Sequence, residues 1–214
     1  MIISQRQKVI CQTIPKTASS SLKSYFKIHY PDQHTHLINT KEPFTTEHIY
    51  KYKKEFEGYY KFCIMRNPWN RMVSLYKNKI LNPTSTKPSK LVKYYGFNSD
   101  MTFAEFVLHL ITLDQKDLDV HAQPQYKFVF HNGINVLDYI GFLENLTEDW
   151  KTICVNAKIK HIPLRRNNRS RGEDYKYYYN TNESKKKDIK NIVSNYWKRD
   201  IELGGYEYDR AKKV

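Results

Sequence analysis

Short apolar runs separated by longer amphipathic stretches predict strands that alternate with helices along this chain. Three runs rich in β-branched, aromatic and aliphatic residues are typical of buried strands: KVICQTI at 8–14, YYKFCIM at 59–65 and DYIGF at 138–142. The stretch SLKSYFKIHY after the first run has helical spacing and places Leu22 and Phe26 on one face. This alternation favours an α/β fold with a parallel sheet flanked by helices.

The remaining pattern predicts further helices and two weaker strands. The helices are expected at 46–56, 72–81, 102–113, 147–156 and 183–200, and the weaker strands at 35–39 and 159–163. Thr102 and Glu105 have the spacing of a capping box, which would start the helix at 102–113. The polar segment 82–100 is expected to be a surface loop. Because no repeat and no linker interrupts the chain, residues 1–214 are predicted to form a single domain.

The charge balance narrows the class of partner. The chain has 36 Lys and Arg against 22 Asp and Glu, a formal net charge of +14. Such a balance favours a polyanionic partner: nucleic acid, anionic lipid, acidic glycan or a phosphate-rich cofactor. A coding bias towards Lys, Asn, Ile and Tyr would produce the same bulk charge without any such partner. The hydrophobic fraction of 40% argues against global disorder.

The number and spacing of the cysteines argue against disulfides and metal sites, and the hydropathy of the chain bears on its cellular compartment. Cys11, Cys63 and Cys154 lie far apart and are odd in number, so free buried thiols are expected rather than a disulfide framework or a metal site. No apolar run reaches the length of a membrane span or a signal peptide. A soluble, cytoplasmic protein is therefore expected.

The first candidate motif joins a strand to a helix through the small-residue loop PKTASSS at 15–21. Such a loop presents backbone N–H groups to an anion, and the helix dipole strengthens the attraction. Lys16 and the neighbouring hydroxyls can add contacts to phosphate oxygens. The loop differs from the nucleoside-triphosphate P-loop, because its Lys precedes the small residues and it contains no Gly. The alternative is a plain Ser-rich helix N-terminus.

The second candidate motif is RNPWNRMVSLY at 66–76. Arg66 follows a predicted strand, at the edge where open α/β sheets bind ligands. Ser74 lies eight residues further on, in the following helix, so that guanidinium and hydroxyl can bind one phosphate. Arg71 is either a further ligand or a surface ion-pair partner.

Together, the two motifs resemble those of the sulfotransferases that use 3′-phosphoadenosine 5′-phosphosulfate (PAPS). IPKTASSSL is similar to the family's 5′-phosphosulfate loop, and FCIMRNPWNRMVSLY to its 3′-phosphate motif. TFAEFV at 102–107, HAQPQYKFV at 121–129 and DYIGFLENLTEDW at 138–150 follow in the order of the carbohydrate-type, sulfotransferase family 2-like branch. The resemblance continues through the C-terminal stretch and covers almost the whole chain.

The resemblance implies a three-layer α/β/α fold with a central parallel sheet, related to the P-loop nucleotide kinases. It implies metal-free transfer of a sulfuryl group from PAPS to the hydroxyl of a glycan or a small metabolite. The residues implied for the donor's 5′ end are Lys16, Thr17, Ala18, Ser19, Ser20 and Ser21. Lys16 would also stabilise the leaving phosphate. Arg66, Ser74 and Arg171 of the basic loop 164–174 would bind the 3′-phosphate.

The base that takes the acceptor's proton is implied to lie between the two motifs, as a His in the carbohydrate-type branch and a Glu in others. His48 and Glu42 lie nearest that place, with His48 the first choice. His121 is assigned to an acceptor-side loop, or equally to the surface beside a helix.

The loop departs from the family pattern at two residues, and two rival functions fit parts of the sequence. Ala18 and Ser19 stand where the family often has Gly, which reduces the loop's ability to take positive φ, although Ala is small enough for phosphate to approach. A kinase of related fold would need a Walker-type Lys and a magnesium carboxylate, which the sequence lacks. A nucleic-acid-binding protein is suggested by the charge and by the interleaved Tyr residues, but no nucleic-acid-binding module is recognisable, so no nucleic-acid partner is expected.

Overall fold

The chain forms two compact units, each described by itself. The computed structural model describes residues 1–30, 35–36, 46–51, 53–81, 90–115, 118–164 and 174–209. The first unit holds the described residues of Met1–Arg66 and Pro124–Arg169, and the second those of Asn67–Gln123 and Ser170–Ala211.

The described residues include seven strands and ten α-helices. The strands are β1 Ile2–Ser4, β2 Val9–Gln12, β3 Thr35–His36, β4 Tyr60–Met65, β5 Phe130–His131, β6 Ile134–Asn135 and β7 Tyr139–Phe142. The helices are α1 Ser19–His29, α2 Thr46–Lys51, α3 Pro68–Tyr76, α4 Lys90–Tyr94, α5 Phe103–Thr112, α6 Leu146–Asn156, α7 Tyr175–Asn180, α8 Asn182–Lys186, α9 Ile189–Tyr196 and α10 Lys198–Gly204. A π-helical turn, Lys77–Leu81, extends α3.

A five-stranded mixed sheet organises the first unit, in the order β3-β1-β2-β4-β7. The three strands expected from sequence, β2, β4 and β7, are parallel, which confirms a parallel-containing α/β sheet. β1 is antiparallel to both β2 and β3, so the sheet is not entirely parallel. Only four residues join β1 to β2, and a connection that short allows a hairpin but no crossover.

One face of the sheet carries α1 and α6. Apolar residues of β1, β2 and β4 meet both helices in one cluster, whose largest members include Phe26, Phe62 and Trp150. Tyr25 of α1 packs edge-on against Trp150 of α6, with ring centroids 4.8 Å apart. Because these helices follow β2 and β7 along the chain, their packing holds the carboxyl ends of the parallel strands in place.

The segment 159–164 shows why one predicted strand is absent. The sequence predicts a strand at 159–163, but this segment pairs with no strand among the residues that the structure describes. Side chains satisfy its backbone instead: the Trp150 indole donates to the Ile162 carbonyl at 2.9 Å, and the Tyr25 hydroxyl donates to that of Lys160. With its polar groups satisfied in this way, the segment packs against the core without a ladder.

The second unit is helical and rich in aromatic contacts. Tyr76 of α3 packs against Phe103 and Phe106 of α5, with centroids 5.5 and 5.4 Å apart. The predicted capping box is confirmed, since the Thr102 hydroxyl accepts from the Glu105 backbone N–H at 3.2 Å and the Glu105 carboxylate accepts from that of Thr102 at 2.9 Å.

The predicted long helix at 183–200 is wrong, because the region forms three short helices, α8, α9 and α10. The break between α8 and α9 falls at Asp188, whose φ of 50° is left-handed and incompatible with a continuing helix. The break between α9 and α10 falls at Trp197, which is 2% exposed. Lys-rich composition favours a helix over the whole stretch, but burying its apolar residues bends the chain twice.

Candidate active site

The first motif forms a tight turn between β2 and α1. The Thr17 side chain is buried, and its hydroxyl donates to the Ile14 carbonyl at 2.9 Å. That proton is therefore committed to the loop itself. Among the other hydroxyls predicted for the loop, Ser20 is exposed, Ser19 half-buried and Ser21 buried.

Two non-glycine residues of this turn have left-handed backbones. Lys16 has a φ of 71° and Ala18 a φ of 63°. The sequence predicted that Ala18 would adopt positive φ less readily than Gly, and the loop imposes it nevertheless, at about 1–2 kcal/mol per residue. Ala18 occupies the N-cap of α1 and provides no side-chain acceptor. The first-turn N–H groups of α1 are thus not capped by that side chain, which suits an anion.

Ala18→Gly is expected to stabilise the protein by about 1 kcal/mol, because Gly adopts positive φ without the Cβ clash. The melting temperature should rise by about 2–4 °C, measured by thermal unfolding. The matched control is Ala157→Gly at the end of α6, where φ is −77° and the same change should destabilise. A lower melting temperature for Ala18→Gly would contradict the strain.

The second motif follows β4 and opens α3. The Asn67 side chain caps α3 by accepting from the Asn70 N–H at 3.1 Å, and Pro68 occupies the first turn. These local signals start the helix directly after Arg66. Ser74 lies on α3 in the second unit and is 7% exposed.

Arg66 brings the two motifs together within the first unit. Its Nη1 donates to the Lys16 carbonyl at 3.1 Å. β2 and β4, which precede the two residues, are adjacent and parallel, so both motifs start from the same edge of the sheet. The guanidinium therefore holds the loop by its backbone and places a fixed positive charge beside the Lys16 backbone.

A buried glutamine that the sequence did not single out holds the Arg66 backbone. Gln125 is 0% exposed. Its Oε1 accepts from the Arg66 N–H at 3.0 Å, and its Nε2 donates to the Arg66 carbonyl at 2.8 Å. These two bonds satisfy the N–H and the carbonyl of Arg66, the residue that directly follows β4. A Gln inside the polar stretch HAQPQ gives no sequence signal that separates this role from an exposed side chain.

Arg71 lies in the interior of the second unit. It is 3% exposed, and its Nη2 donates to the carbonyl of His121 at 3.1 Å. The surface ion-pair alternative for Arg71 is therefore wrong, because the side chain is buried. Its bond to the loop carbonyl holds that loop on α3. His121 is in turn bonded to Asp119, with Nδ1 and Oδ1 2.6 Å apart.

Three other predicted site residues lie wholly or partly outside the described residues. Glu42 and Arg171 lie outside the described residues. His48 belongs to α2, and its side chain lies outside the described part. The Thr46 hydroxyl, at the start of α2, donates to the Phe130 carbonyl at 2.9 Å. That bond ties α2 to β5 within the first unit.

All three cysteines are free and buried, as predicted. Burial raises the pKa of Cys11 and of Cys154 to about 12 each, and it raises the pKa of Cys63 as well. Thiols that stay protonated are poor nucleophiles, so these side chains serve packing. None of the described helices is both long and apolar enough to span a membrane.

Comparison with known proteins identifies relatives over parts of the chain. A protein of Archaeoglobus fulgidus without an assigned function is 34% identical over 97 residues, which cover 45% of this chain and 66% of that protein. The mouse and human proteins named carbohydrate sulfotransferase 14 are each 22% identical over 166 residues, 70% of this chain and 44% of theirs. The chain thus spans less than half of the mammalian relatives. No solved structure matches it.

The family itself is shown by a match over nearly the whole chain. The sulfotransferase family matches residues 1–210, a range that includes both motifs, Gln125 and the C-terminal helices. The family match agrees with the mixed α/β sheet and with the two motifs that follow its strands β2 and β4. The chain belongs to the sulfotransferase family.

Proposed function

We propose that this protein transfers a sulfuryl group from PAPS to a hydroxyl of a carbohydrate or a small metabolite. The observation that supports the proposal is the bond from Arg66 to the Lys16 carbonyl, which joins two motifs proposed to bind phosphate at the carboxyl ends of β2 and β4. Family membership supports the reaction class. The relatives named carbohydrate sulfotransferases support a carbohydrate acceptor.

The donor is proposed to bind with its 5′ end at the loop 15–21 and its 3′-phosphate at the second motif. A phosphosulfate would accept hydrogen bonds from three kinds of donor at this loop. They are the first-turn N–H groups of α1, the half-buried Lys16, and the hydroxyls of Ser19 and Ser20. Thr17 would contribute its backbone, since its hydroxyl proton is already donated. Arg66 and Ser74, with Arg171, are proposed for the 3′-phosphate.

The proposed reaction is an in-line displacement at sulfur. The acceptor oxygen forms a bond to sulfur while the bond from sulfur to the 5′-phosphate oxygen breaks, and the electron pair leaves with 3′-phosphoadenosine 5′-phosphate (PAP). Lys16 offsets the charge that develops on the leaving phosphate, as the loop N–H groups do. His48 or Glu42 is proposed to take the hydroxyl proton.

Arg66→Ala tests the donor assignment without knowledge of the acceptor. Charge-assisted hydrogen bonds contribute about 1.5–3 kcal/mol, so PAP affinity should fall by about 10- to 150-fold. AMP lacks the 3′-phosphate and should lose affinity only through the missing bond to the Lys16 carbonyl, by a much smaller factor. Isothermal titration calorimetry with both nucleotides measures the difference. Exposed Arg6 offers the matched control, Arg6→Ala, which should leave both affinities unchanged. Equal losses for PAP and AMP would refute the assignment.

A further inference from the structure

His121, assigned from the sequence to an acceptor-side loop or to the surface beside a helix, has its ring held by a carboxylate. The carboxylate of Asp119 accepts from the His121 backbone N–H at 2.9 Å and contacts the ring Nδ1 at 2.6 Å, both through Oδ1. An ionised carboxylate only accepts hydrogen bonds, so Nδ1 carries the proton. Nε2 is then the ring's remaining polar atom.

The exposure of the pair differs between its members. The Asp119 side chain is 10% exposed and that of His121 is 34% exposed. Burial acts to raise the pKa of Asp119, but the hydrogen bonds from His121 outweigh it, so that pKa lies below its ordinary value. The carboxylate thus stays ionised and holds the ring at a fixed angle. Among the described residues, no hydrogen bond or ion pair involves the Nε2 atom of His121.

The loop that carries this pair is fastened to the helix of the second motif. Arg71 donates to the His121 carbonyl at 3.1 Å and lies three residues before Ser74 on α3, close to one helical turn. Arg71 and Ser74 therefore share one face of that helix. Among the described residues, the Arg71 guanidinium donates to the backbone carbonyl of His121, and Lys79 acts to lower the pKa of Asp119. Both side chains are cationic, and positive charge near the pair favours an anion.

We propose that His121, held by Asp119, is a further ligand of the nucleotide's 3′-phosphate and donates to it through Nε2–H. This rests on the proposed function, which places that phosphate on α3. A doubly protonated imidazole between a carboxylate and a phosphate makes two charge-assisted hydrogen bonds. Asp119 is a positioning residue, because it stabilises the imidazolium and sets its direction without touching the phosphate.

The test compares PAP with AMP on His121 variants. Asn places its amide near Nδ1 and can keep the bond to Asp119, whereas Gln places its amide near Nε2. His121→Asn should weaken PAP by about 10- to 100-fold and leave AMP unchanged, while His121→Gln should retain most of the PAP affinity. Asp119→Asn should lower PAP affinity by a smaller factor. His161 is exposed, so His161→Asn should change neither affinity.

The outcomes separate this inference from the proposed function. A wild type that does not prefer PAP to AMP overturns the donor assignment, and the inference with it. A selective wild type whose preference for PAP survives His121→Asn overturns the inference alone. Equal losses of PAP and AMP in His121→Asn also overturn it, since a loop that only supports the fold would weaken both nucleotides.

Discussion

Lys16→Ala is expected to lower the turnover of sulfuryl transfer by about 10²–10³-fold, the effect of removing one group that stabilises transition-state charge. The Lys16 ammonium would act mostly as the leaving phosphate gains charge, so its removal should affect the chemical step more than ground-state binding. PAP affinity should therefore fall by a much smaller factor. The measurement is release of PAP from PAPS with a mixture of carbohydrate and phenolic acceptors, beside calorimetric binding of PAP.

Two further variants control for the backbone of the loop. Lys16 has a left-handed backbone, and its carbonyl accepts from Arg66. Lys16→Arg keeps the charge and should retain part of the activity. Lys23 is exposed on α1, and Lys23→Ala removes a nearby cation and should leave turnover unchanged. Near-normal turnover in Lys16→Ala would exclude Lys16 from the mechanism.

His48→Ala is expected to lower the rate by about 10²–10⁴-fold with PAP affinity close to wild type, if His48 is the base. Transfer by the wild type should then rise with pH through the pKa of an imidazole, about 6.5 when unperturbed. If Glu42 is the base, Glu42→Gln has the large effect and the acidic limb lies nearer about 4.3, unless burial raises that pKa.

The two assignments of the base predict that different variants lose activity, and they predict different pH profiles for the wild type. Initial rates measured from pH 4 to pH 9 for the wild type and both variants decide between them. Exposed Glu57 supplies a matched carboxylate control, since Glu57→Gln should change nothing. Full activity in both His48→Ala and Glu42→Gln would exclude both residues as the base.

Local patterns in the sequence were sufficient to predict the three parallel strands and the positions of the motifs. β2, β4 and β7 were predicted from short apolar runs, and the capping box at Thr102 from two residues three apart. Each signal depends on neighbours in the chain, so it needs no knowledge of the fold. The family followed from the same stretches, because both candidate motifs are continuous in sequence.

Tertiary structure decided the antiparallel part of the sheet, the outcome of two predicted elements and the contacts around the motifs. Strand β1 is only three residues long, too short for a periodic signal, and is a strand because β2 and β3 pair with it. The segment 159–163 is apolar like a strand, but core side chains satisfy part of its backbone. At 183–200, burial of apolar residues outweighs the helix propensity of the Lys-rich run.

The bonds that assemble the candidate site join residues far apart along the chain. Arg66 is 50 residues from Lys16 and 59 from Gln125, and Arg71 is 50 from His121. A sequence motif specifies which groups are present, but hydrogen bonding depends on distance and angle, which packing of the sheet and helices determines. The sequence by itself therefore determined the family and the two motifs. Only the fold decided that Arg66 holds the Lys16 loop and that Arg71 holds the loop of His121.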